Sequence, residues 1–161
     1  MKPAAARPIV IVGVGHMGGA IARGLIAAGL GPRLILIDPA AKPADAKSFR
    51  AAGAVVDKGV EALEGTTPEA IVLAVKPQLM GLVAPAYAEA AEKALVISIA
   101  AGTPIESLNL WLAKPRALVR AMPNLPASIG KGISAAYATP STTAAQRKLA
   151  QTLLSAVGDL V

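Results

Sequence analysis

Gly13-Val14-Gly15-His16-Met17-Gly18 places three glycines at a spacing with a chemical meaning. In a turn between a strand and a helix, the first glycine permits the tight bend. The second lets backbone approach a pyrophosphate, and the third lets the helix pack closely on the strand. An apolar run, Ile9 to Val12, precedes the turn and an alanine-rich run follows it, so the context is strand, turn, helix. A helix starting there presents free N–H groups and the positive end of its dipole to a phosphate, worth about 0.3–1 kcal/mol and up to ~2 when partly buried. Asp38 closes the next apolar run about twenty residues beyond Gly18. A carboxylate at that position accepts hydrogen bonds from the adenosine ribose of a dinucleotide. Together these residues favour a dinucleotide site over a purely structural glycine turn.

Other candidates are weaker on chemistry alone. His16 lies inside the turn and reads as a loop residue near the phosphates, not a catalytic base. Met17 and Ala20 are expected to pack against the sheet. Lys76 ends a buried strand in Leu-Ala-Val-Lys-Pro-Gln. It is open to two readings: a solvated strand end, or a ligand contact stiffened by Pro77 at the carboxyl edge of the sheet.

The elements that would position these residues are legible as an alternation. Residues 8–14, 33–38, 53–56, 69–75, 94–100, 116–122 and 132–138 are short apolar or β-branched runs, with helical sequence between most of them. Gly29 and Gly53 mark helix ends, Thr103-Pro104-Ile105-Glu106 has the pattern of a capping box, and residues 139–143 turn into a last helix over 144–157. Strand and helix in alternation predict an α/β domain of Rossmann type: a doubly wound, mainly parallel sheet with helices on both faces. Asp159-Leu160-Val161 has the composition of a further strand, and the chain reads as cut after it. The expectation is one dinucleotide-binding domain over residues 1–161.

Composition narrows the chemistry. In 161 residues, 54% are hydrophobic and only 2% aromatic, which demands a core of packed Ala, Val, Leu and Ile. The absence of cysteine and the single histidine exclude thiolate chemistry and leave no expectation of a metal. A net charge of +6 is scattered along the chain without stacking aromatics, so no nucleic-acid partner is expected. No apolar stretch reaches the eighteen or so residues a membrane span needs, and the expectation is a soluble, cytoplasmic protein with no membrane partner. The basic amino terminus leads into a first strand, not a signal peptide.

Four segments, GVGHMGGAIARGLIAAG, LAVKPQ, ISIAAGTPIESL and RAMPNLPASIGKGISAAYA, resemble in order the signature blocks of pyrroline-5-carboxylate reductases. The block Met122 to Pro126 is more specific than the glycine motif. The resemblance implies reduction of the cyclic imine pyrroline-5-carboxylate to L-proline by NAD(P)H, with pyrophosphate held at Gly13, Gly15, His16, Met17 and Gly18. It also implies that Ala74, Val75, Lys76 and Pro77 line the cofactor, that Ala100, Ala101 and Gly102 lie beside the nicotinamide ribose, and that Asn124 lies near the nicotinamide. It names no catalytic residue on this domain. The helical substrate and dimerisation domain of that family is expected to be absent here, leaving apolar surface and a tendency to form homo-oligomers.

Three positions depart from the family: His16 where Asn is usual, Leu125 where Thr is common, and Asp38-Pro39 where Asn or Ser precedes a polar or basic residue. Asp38 mildly favours NAD(H) over NADP(H), although Lys42 nearby offers a counter-charge to an extra phosphate. Two alternatives stand beside this reading. One is another imine or NADP oxidoreductase with the same nucleotide domain, such as a deazaflavin-dependent reductase. The other is a stand-alone dinucleotide-binding module without catalysis.

Overall fold

The computed structural model describes residues 5–161. Its elements follow the order β1 (Ile9–Val12), α1 (His16–Ala27), β2 (Leu34–Ile37), α2 (Pro43–Ala51), β3 (Val55–Asp57), β4 (Ala70–Leu73) and α3 (Pro77–Val83). The chain continues through α4 (Ala88–Ala91), β5 (Leu95–Ser98), α5 (Ile105–Trp111), β6 (Ala117–Pro123), β7 (Gly132–Ala138), α6 (Ala144–Leu154) and β8 (Gly158–Leu160). All eight strands join one sheet in the order β3-β2-β1-β4-β5-β6-β7-β8. Strands β1 to β6 are parallel. β7 runs antiparallel to β6, and β8 parallel to β7. This is the Rossmann-type α/β fold expected.

Burial on both faces explains why the parallel strands read as unbroken apolar runs. Every residue of β1, β2, β4 and β5 is buried. Alternate side chains enter two separate cores: Ile9, Ile11, Leu36 and Val72 pack with Ile21 and Leu25 of α1, Phe49 of α2 and Leu153 of α6. Val10, Val12, Ile35 and Leu73 pack on the other face with Met80 of α3, Tyr87, and Leu108 of α5. Each such aliphatic side chain contributes about 1.5–3 kcal/mol on burial.

Close packing also uses the glycines of α1. A Cβ on Gly24 would overlap the carbonyl oxygen of Ala156, so α1 and the 3-10 turn Ser155–Val157 meet backbone to backbone.

Two local expectations change. The pattern at Thr103 does not become a capping box: α5 starts at Ile105 with Pro104 at the N-cap and no capping side chain, while Thr103 itself is buried. The reciprocal box forms instead on α6, where the Thr143 hydroxyl accepts from the Gln146 N–H at 3.2 Å and the Thr143 N–H donates to Gln146 Oε1 at 2.9 Å. The last helix ends at Leu154, short of residue 157, because the chain tightens into the 3-10 turn before Gly158 opens β8.

Candidate dinucleotide-binding cleft

Because β1 to β6 are parallel, the loops that follow them emerge along one edge of the sheet. β1 is paired with β2 on one side and β4 on the other, so the chain leaves it in opposite directions, which opens a crevice at that edge. A cleft of about 560 Å³ occupies this crevice. Gly13, Gly15, Asp38, Ala74, Val75 and Lys76 all line it.

The three glycines have different reasons to be glycine. Gly13 has φ +89°, where other residues are strained, and a Cβ would stand 2.8 Å from the Ala74 carbonyl oxygen. At Gly18 a Cβ would overlap the Gly13 carbonyl oxygen, so this glycine serves helix-on-strand packing. Gly15 differs from both. Its φ is negative, −75°, and nothing lies within 4 Å of the space a Cβ would fill. That space faces the cleft, at the N-cap of α1, whose first turn no side chain caps. Uncapped N–H groups beside an unfilled hollow make an anion cradle.

Asp38 is half-buried at the end of β2. Its Oδ2 accepts from the Val14 N–H at 2.7 Å and its Oδ1 from the Ala40 N–H at 2.8 Å. The carboxylate thus anchors the glycine turn as well as facing the cleft. Lys76 caps the start of α3 without a side-chain bond, and Pro77 takes the first helical position. Lys42, at the N-cap of α2, is not part of the lining; Lys58, just after β3, is.

The remaining expected residues lie elsewhere on the same edge. His16 is exposed at the start of α1, and Met17 packs against the core, as Ala20 does. Ala100 is buried beyond β5, whereas Ala101 and Gly102 are exposed. Asn124 follows β6 and is held by its Oδ1, which accepts from the Ile133 N–H at 2.9 Å. Neither this group nor Gly18 and Pro77 lines the cleft.

The cleft adds residues that the sequence reading passed over: Lys58, Glu61, Leu79, Leu82 and Tyr87. Lys58 and Glu61 follow β3 directly, and any residue just past the carboxyl end of a parallel strand is a candidate, so that signal was present. Burial, and then the negative charge of Glu61, push the Tyr87 phenol up to about 12. Another cavity of about 530 Å³, among Thr66, Thr67 and Lys93, shares Val60 and Ala86 with the cleft and holds none of the expected residues. Among the described residues no group of three His, Cys, Asp or Glu side chains forms a metal site, and no helix is long and apolar enough to cross a membrane.

Comparison with known proteins agrees with this fold. Pyrroline-5-carboxylate reductase of Pseudomonas aeruginosa is 40% identical over 152 residues, covering 93% of this chain and 55% of that protein. The Haemophilus influenzae enzyme of the same name is 35% identical over 154 residues, covering 95% of this chain and 56% of its own. The chain therefore spans about half the length of the curated relatives it matches. Among solved structures, a pyrroline-5-carboxylate reductase from Coxiella burnetii superposes with a TM-score of 0.86 at 28% identity, over 98% of this chain and 58% of that one. A Plasmodium falciparum pyrroline carboxylate reductase with NADP bound shares the fold, with a TM-score of 0.80 at 24% identity over 96% of this chain and 56% of that one. Residues 8–102, more than half of the sequence, match the family described as NADP oxidoreductase coenzyme F420-dependent, and the chain belongs to that family.

Proposed function

We propose that this chain is the dinucleotide-binding part of a cytoplasmic reductase that converts pyrroline-5-carboxylate to L-proline with NAD(P)H. The observation that carries the nucleotide half of this reading is the open space at Gly15 beside the uncapped start of α1. The substrate half rests on similarity that runs past residue 102, where the family match ends, and continues over most of the chain. That extent favours a pyrroline-5-carboxylate reductase over other NADP oxidoreductases sharing only the nucleotide fold.

In this reading the Gly13 turn presents the N–H groups of Gly15, His16, Met17 and Gly18 at the uncapped start of α1 to the pyrophosphate, the Gly13 and Val14 N–H groups being taken by Ile37 and Asp38, and Asp38 takes the adenosine ribose. Ala74, Val75, Lys76 and Pro77 line the cofactor; Ala100, Ala101 and Gly102 flank the nicotinamide ribose, and Asn124 stands near the ring. A reduced nicotinamide held there supplies a hydride for the carbon of a cyclic C=N bond. A protonated imine is already electrophilic, so the protein's contribution is to hold donor and acceptor about 3–3.5 Å apart and to exclude water. No acid or base on these residues is required.

Calorimetric titration of NADH and NADPH into the purified chain, with turnover assayed in parallel, tests the reading. Binding of either dinucleotide with negligible reduction of pyrroline-5-carboxylate is expected, because the substrate-holding segments belong to the part of the relatives this chain does not span. Loss of positioning forfeits most of a proximity contribution that reaches roughly 7–11 kcal/mol. Failure to bind either dinucleotide would overturn the nucleotide assignment. A longer chain carrying the relatives' remaining segments, yet inactive toward cyclic imines, would support the alternative, a binding module without catalysis.

A further inference from the structure

Glu61 lines the cleft yet has no task in the reading above. It sits on the 3-10 turn Val60–Leu63, and its carboxylate folds back over Gly59: a Cβ there would overlap Glu61 Oε2. The negative charge of Glu61 is felt by the buried Tyr87, which lines the same space. Leu79 and Leu82, 44% and 81% exposed, line the same cleft, two large apolar side chains with much of their surface uncovered. Val60 and Val83 add to the apolar lining.

Exposed leucines in a cleft that also holds the Glu61 carboxylate, distinct from Asp38 and its two backbone partners, suit a flat heterocycle that covers the leucines and presents an N–H donor at its edge. We propose that Glu61 accepts a hydrogen bond from the exocyclic amino group of the adenine of a bound dinucleotide, and that Leu79 and Leu82 cover the ring. The proposal rests on the cleft being a dinucleotide site and names the residue that reads its base. Selectivity follows from donor and acceptor counting. A carboxylate only accepts, so a purine with a carbonyl oxygen in place of the amino group sets two acceptors against each other and leaves a charge without its partner.

The test compares NADH with its reduced hypoxanthine analogue, in which that amino group is a carbonyl. The unmodified chain should bind NADH about tenfold more tightly. Glu61→Gln, which can donate to the carbonyl, should weaken NADH, strengthen the analogue and bring the ratio to one or below. Glu61→Ala should weaken NADH alone and abolish the difference. Glu61 is exposed, and circular dichroism checks that each variant keeps its fold. Equal affinities in the unmodified chain, or a ratio unmoved by both substitutions, would overturn the role of Glu61 while leaving the dinucleotide site intact. Absence of binding by both dinucleotides would remove the site and this proposal together.

Discussion

The backbone N–H of Val14 donates to Asp38 Oδ2 at 2.7 Å, tying the glycine turn after β1 to the end of β2. With Oδ1 accepting from Ala40, each carboxylate oxygen already holds one backbone donor and keeps a lone pair for a ribose hydroxyl. Asp38 therefore shapes the cleft before any ligand enters it. Asp38→Ala leaves the part-buried Val14 N–H without its acceptor, while water can reach the exposed Ala40 N–H, and should lower stability by about 1–3 kcal/mol in urea unfolding, with Asp38→Asn costing less because one side-chain oxygen remains to accept.

Gly15 and Gly18 should separate binding from folding. Gly15→Val should lower the melting temperature far less than Gly18→Val, since its Cβ meets nothing and only the N-cap preference is lost, and weaken dinucleotide binding at least about tenfold by filling the hollow at the helix start. Gly18→Val should destabilise the fold itself, because its Cβ overlaps the Gly13 carbonyl oxygen. Thermal melts paired with calorimetry distinguish the two; unchanged affinity in a folded Gly15→Val protein would remove the pyrophosphate assignment.

NAD(H) should bind more tightly than NADP(H). Two unit charges 4 Å apart repel by about 4 kcal/mol at an effective dielectric of 20, and solvent reduces this to ~1–2 kcal/mol, or roughly tenfold. Lys58, on the cleft wall, opposes that preference. Asp38→Ser should shift selectivity toward NADP(H), and Lys58→Ala away from it. Titration of both cofactors into the three proteins decides the matter, and identical selectivity in all three would mean that neither residue reads the ribose.

Tyr87 gives an alkaline limb to stability. Its phenol ionises at about 12 in the folded chain, raised by burial and by Glu61, against about 10 when unfolded. Stability from the neutral phenol is thus fully present below pH 10 and is lost as pH rises toward 12. The loss should be on the order of 2 kcal/mol, and Tyr87→Phe, which cannot ionise, should lack it. Denaturant midpoints of both proteins at pH 8 and pH 11.5 provide the comparison.

What the sequence made legible was local. β1, β2, β4 and β5 are short runs buried on both faces, so hydrophobicity alone marks them, and the glycine turn and Asp38 are the residues immediately beyond two of those runs. The rest depended on distant packing. Leu82 and Tyr87 enter the cleft because α3 and the turn after it fold over the edge beside β4, which no spacing within their own segment reveals. Thr103 has the residues of a capping box but is drawn into the interior, whereas Thr143 caps on the protein surface. The direction of β7 follows from an eight-residue connection, residues 124–131, too short for the dozen or more residues of a parallel crossover.

Every wall of the cleft comes from residues between Val12 and Tyr87, and β1, its central strand, is flanked by β2 and β4 alone. On a ribosome, where chains are made at about 5–20 residues per second, the residues that build those walls have all been joined while residues 88–161 are still being added, an interval of roughly 4–15 s. A dinucleotide captured in that interval would stabilise the native pairing of β1 with its two neighbours by mass action. Cofactor supply during synthesis would then govern the yield of folded chain as well as the occupancy of the finished one.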